Sequence, residues 1–64
     1  MKTTDTETCR SEYRSLRAAT TRHSVKRFDE IARDIAHDLA DGEDLEPWLF
    51  VQAAEMIFNG QDHA

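Results

Sequence analysis

Apolar residues recur every three or four positions in two parts of the chain and crowd a third. Val25, Phe28, Ile31, Ala32, Ile35, Ala36 and Leu39 form one continuous face at helical spacing. That face predicts a helix over about 25–41, with Ser24 as its N-cap and Gly42 as the left-handed residue that ends it. Upstream, Cys9, Tyr13 and Leu16 at i, i+4, i+7 predict a thinner helix over about 5–19. Thr4 with Glu7 forms a possible capping box for it, with Thr6 as a rival cap. So thin a stripe needs a more hydrophobic surface to dock on, because short isolated helices are marginal in water. The stretch Trp48–Phe58 differs from both: nine of its eleven residues are apolar, and only Gln52 and Glu55, on one narrow strip, are not. A helix apolar nearly all round is either enclosed by neighbours or presents a face to a partner. It is predicted over about 45–58, with Asp44 as N-cap, Pro47 in the first turn and Asn59-Gly60 as its stop.

Thr20–His23 suits a turn, residues 1–4 are expected to be loose, and residues 61–64 to fray. Three helices joined by short connections give an all-α, compact three-helix bundle, one domain over 1–64, with the third helix sandwiched by the apolar faces of the other two. No strand pattern competes. A chain of 64 residues buries only about 60 % of the surface its unfolded form exposes, so the core must be small. Nothing staples it: Cys9 is the only cysteine, which excludes an internal disulfide, and no Cys/His cluster or calcium loop is present. The lone thiol fits a reducing compartment. No apolar run approaches the 18 or so residues of a membrane span, and MKTTDTETC is too polar for a signal peptide, so a cytoplasmic protein without membrane contact is expected.

The candidate chemistry is sparse. Cys9 and His23 lie in different predicted elements with nothing to orient the imidazole, and a half-buried structural cysteine is the simpler reading. His37 and Asp41 make an i, i+4 pair without a third ligand, so a solvated helix face is expected there. With no nucleophile–base–orienter set, neither enzymatic activity nor a cofactor is expected. Arg10, Arg14 and Arg17 align on the first helix, with Arg22, Lys26 and Arg27 close behind. Phosphate contact needs only placed cations, but a recognition helix needs base-reading side chains and usually a basic domain, so direct nucleic-acid binding is not expected.

Charge is the strongest remaining pattern. The net charge of −5 divides unevenly. Residues 1–33 hold all eight Lys and Arg against five acids, a balance of +3, whereas residues 34–64 hold eight acids and no Lys or Arg, a balance of −8. Glu30, Asp34, Asp38 and Asp41 follow one another along the outer side of the second helix at three- or four-residue steps, and Glu43, Asp44 and Glu46 continue the row. Carboxylates at i, i+4 repel each other, and a basic surface relieves that repulsion. The two readings of the row are a solubilising face, which is the simpler one, and a partner-binding face, to which segregation of the charges adds weight.

In size, single-domain character, absence of catalytic residues and acidity, the whole chain resembles the phage-encoded anti-CRISPR proteins, several of which occupy the basic DNA-binding surfaces of a CRISPR surveillance complex. The resemblance implies a stoichiometric inhibitor in the host cytoplasm. It places Glu30, Asp34, Asp38, Asp41, Glu43, Asp44 and Glu46 against lysines and arginines of a basic nucleic-acid-binding protein or ribonucleoprotein. The row of Arg10, Arg14 and Arg17 departs from a uniform nucleic-acid mimic and leaves room for contacts to acidic residues of the same target. Trp48 or Phe50, where exposed, would be the anchor. Two alternatives stand beside this: an antitoxin-like or regulatory module that forms a homodimer through the third helix, and a DNA-binding regulator using the first.

Overall fold

The computed structural model describes residues 5–61, and three α-helices account for most of them: α1 (Thr6–Ala19), α2 (Val25–Ala40) and α3 (Pro47–Phe58). The expected all-α three-helix bundle is what forms. α1 and α2 each lie along α3 and touch one another much less.

The helix ends show which local chemistry prevails. α1 is capped by Asp5, whose carboxylate accepts from the Thr8 backbone N–H at 3.1 Å. Thr6, the rival cap, is instead the first helical residue, and Thr4 lies outside the described residues. An ionised side chain at this end adds a favourable interaction with the helix dipole to the hydrogen bond itself. α2 starts as predicted, with Ser24 Oγ accepting from the Arg27 N–H at 3.1 Å. It stops one residue short of the predicted end: Asp41, not a glycine, takes the first left-handed position (φ 51°, ψ 48°), and Gly42 (φ 89°) takes the second. The Glu43 N–H then closes the turn onto the Ala40 carbonyl at 2.9 Å. Aspartate is among the few residues with a side chain that tolerates this conformation.

α3 begins at Pro47, two residues later than predicted, and Asp44 is not its cap. The N-cap is Glu46, extended at ψ 154° and making no side-chain capping bond. The cause is steric, because proline drives the residue before it out of the helical region, so the helix cannot start earlier. The predicted stop at Asn59-Gly60 forms in full. Gly60 is left-handed (φ 81°), its N–H reaches the Ile57 carbonyl at 3.0 Å, and the Gln61 N–H reaches the Met56 carbonyl at 2.8 Å, the paired bonds of a Schellman ending.

Alanine makes the close packing possible. Phe28 and Ala32 of α2 meet Ala53, Ala54 and Ile57 of α3 in the main core, flanked by Tyr13, Leu16, Ile31 and Ile35. A second cluster joins Ala36 and Ala40 to Leu49, with Phe50 beside it. With five alanines among these eight buried residues, large side chains do little of the filling. Phe28 and Ile57 are the largest fully buried ones, each contributing about 1.5–3 kcal/mol of burial. α1 supplies only Cys9 as a buried apolar residue, as its thin stripe implied. Enclosure of α3 is incomplete, since Trp48 and Phe58 stay 42 % and 48 % exposed.

The α1–α2 connection is tied at both sides. Thr20, buried, turns its hydroxyl back to the Leu16 carbonyl at 2.9 Å. Arg22 reaches across to donate to the Ile57 carbonyl in the last turn of α3, placing a cation at the negative end of that helix.

Candidate functional site

The acidic row stands on the outside of the molecule. At about 100° per residue, Glu30, Asp34, Asp38 and Asp41 fall within about 80° of arc on the side of α2 opposite its buried Phe28–Ala32–Ala36 stripe. All four are exposed, as are Glu43, Asp44 and Glu46 in the α2–α3 connection. The first member is partly neutralised, because Arg27 donates to Glu30 at 3.1 Å. Both side chains of that pair are more than half exposed, which makes the interaction worth little. Among the described residues the other six acids have no ion-pair partner. Left-handed Asp41 carries its charge at the negative end of α2.

The aromatic candidates separate. Trp48 is exposed in the first turn of α3, next to the acidic connection, with exposed Leu45 (36 %) inside that connection and exposed Leu39 (42 %) in the last turn of α2 before it. Phe50 is half-buried and packs edge-on against Tyr13 at 6.4 Å between ring centres, so it serves the fold and is not a free anchor.

The arginine row does not act as a unit. Arg17 is drawn inward, its Nη1 3.2 Å from both carboxylate oxygens of Asp29. Tyr13 donates its hydroxyl to the same carboxylate at 2.6 Å, and its ring meets Phe28 edge-on at 5.6 Å. Burial, then the hydrogen bond to Asp29 and that carboxylate's charge, push the Tyr13 phenol well above its ordinary value of 10.0, with Arg17 opposing. Arg10 and Arg14 remain exposed and, among the described residues, have no ion-pair partner. They share with Arg33 of α2 a groove of about 590 Å³ between α1 and α2, floored by Tyr13, Pro47 and Phe50. The sequence reading missed both the groove and the inward role of Asp29. The only sequence signal for the latter is its place at the edge of the α2 apolar face.

Cys9 is buried, as a structural cysteine would be, and His37 and Asp41 are exposed. Among the described residues no cluster of three His, Cys, Asp or Glu has metal-binding geometry, and no helix is long and apolar enough to cross a membrane. No protein-family model, curated protein or solved structure matches the chain.

Proposed function

We propose that this chain is a stoichiometric protein inhibitor that lays its acidic α2 face and the adjoining connection on a basic nucleic-acid-binding groove, and that the groove is the DNA-recognition surface of a CRISPR surveillance complex. The observation that carries the reading is that six of seven segregated acids are exposed and unpaired among the described residues. Their spacing fits the task. From Glu30 to Asp41 the row advances about 16 Å along α2, one carboxylate per about 5.5 Å. Duplex DNA carries a phosphate per about 3.4 Å on each strand, so the row offers cations part of the charge of one strand, not of two. Exposed Trp48 supplies the apolar anchor that charge alone does not, since buried aromatics dominate interface energy. Direct DNA binding through α1 finds less support, because Arg17 of its row is already held by Asp29, and Arg22 in the connection that follows is held by the Ile57 carbonyl.

The experiment is a competition titration in which the protein displaces a labelled target duplex from a surveillance complex. The triple variant Asp34→Lys, Asp38→Lys, Asp41→Lys, folded by circular dichroism, is expected to lose at least tenfold in apparent affinity, with wild-type displacement weakening as salt rises. Equal displacement by both proteins would remove the proposal.

A further inference from the structure

The groove between α1 and α2 is cationic on both walls and apolar at its base. Arg10 and Arg14 face it from α1 and Arg33 from α2. None of these three guanidinium groups is spent on the chain's own acids among the described residues. Of the four arginines lining the groove, only Arg17 is, through Asp29. A groove so lined suits a segment that brings carboxylates together with apolar side chains. The chain owns such a segment. From Asp38 to Trp48, exposed acids alternate with exposed Leu39, Leu45 and Trp48, and no Lys or Arg intervenes.

We propose that the occupant of this groove is the acidic segment of a second copy of the same chain. The two patches adjoin: Glu30 lines the groove and also begins the acidic row. α2 is itself polarised: its first nine residues hold Lys26, Arg27 and Arg33 against Asp29 and Glu30, while the stretch after them holds Asp34 and Asp38, with Asp41 at the C-cap, and no Lys or Arg. Two copies with their α2 helices antiparallel about a two-fold axis therefore set each acidic end against the other's arginines. Both contacts form at once, and the assembly closes as a dimer. A free phosphate ligand would satisfy the arginines but leave the apolar floor and the exposed leucines uncovered, which is why a protein segment is the better fit. The inference does not rest on the proposed target, and the two uses of the acidic segment exclude each other: a chain bound to a target has left the dimer, so sedimentation of the chain alone reads the dimer separately from target binding.

Sedimentation of the full chain at roughly 100 µM tests this. A dimer is expected in low salt and a substantially dissociated species in about 1 M salt, where the Debye length falls to about 3 Å. Two exposed-site variants, Arg14→Glu with Arg33→Glu in one and Asp38→Lys with Asp44→Lys in the other, should each be monomeric with unchanged circular dichroism. Mixed in equal amounts they should form a heterodimer, since each then offers the charge the other lacks. A monomeric wild type in low salt, dimers that persist in either variant, or a mixture that stays monomeric would each overturn the proposal. So would a monomeric wild type that binds a labelled single-stranded oligonucleotide lost on Arg14→Glu, which would give the groove to nucleic acid.

Discussion

Asp29 is the one described acid that is not fully exposed, and two side chains from α1 converge on it. Tyr13 and Arg17 sit one helical turn apart, so both reach the same carboxylate, and the arginine also lies over the tyrosine ring at 5.8 Å. Nothing local in the sequence announces this meeting. Tyr13 and Asp29 are sixteen positions apart, and whether they touch depends on how α1 is rotated against α2. The sequence showed which residues line each helix face, and not which border residue turns inward. A measurable effect follows from the raised Tyr13 ionisation. The native state holds the protonated phenol more tightly than the unfolded chain does. This contribution to stability is fully present below the unfolded value near pH 10 and is lost as pH climbs through the higher folded value. Because Tyr13 is the only tyrosine, an absorbance titration reads it directly. At pH about 10 the urea-unfolded chain should be half ionised and the native protein almost unionised; coincident titration curves would show that the contact with Asp29 does not persist in solution.

Among the elements, the ends were more legible where one residue type suffices and less so where two signals compete. Ser24 and Asn59-Gly60 act as read. At the start of α3, Asp44 is a good cap by composition, yet Pro47 fixes the boundary because it excludes its predecessor from the helix. At the end of α2, Gly42 looks like the natural left-handed residue, but Asp41 takes that conformation first. Asp41 thus carries two local penalties, backbone strain and a negative charge at the wrong end of the dipole. Asp41→Asn keeps a side chain suited to the left-handed region and removes the charge, so it should stabilise the protein by about 0.3–1 kcal/mol, visible as a higher urea midpoint. An unchanged midpoint would mean that the carboxylate costs nothing there. A gain in stability together with weaker displacement of DNA would indicate that the acid is retained for binding.

Across the whole molecule, the sandwiching of α3 was readable because no other segment is apolar enough to serve two neighbours. The groove was not readable, since it arises from the distance at which α1 and α2 are held apart by the helix beneath them. Removing that helix should remove the fold. A chain ending at Glu46 keeps the residues of the Tyr13–Phe28 and Arg17–Asp29 pairs but loses Leu49, Ala53, Ala54 and Ile57, and with them one side of both core clusters. It should show little helical circular dichroism and no cooperative urea transition; a cooperative transition in this fragment would mean that α1 and α2 form a core of their own.

Apart from the clasp at Asp29 and the Tyr13–Phe28 ring contact, α1 and α2 communicate through α3, which lies against both. Substitutions on either charged face therefore leave the small shared interior as it is. What couples the two faces is the dimer, in which a reversal of charge on one calls for the matching reversal on the other.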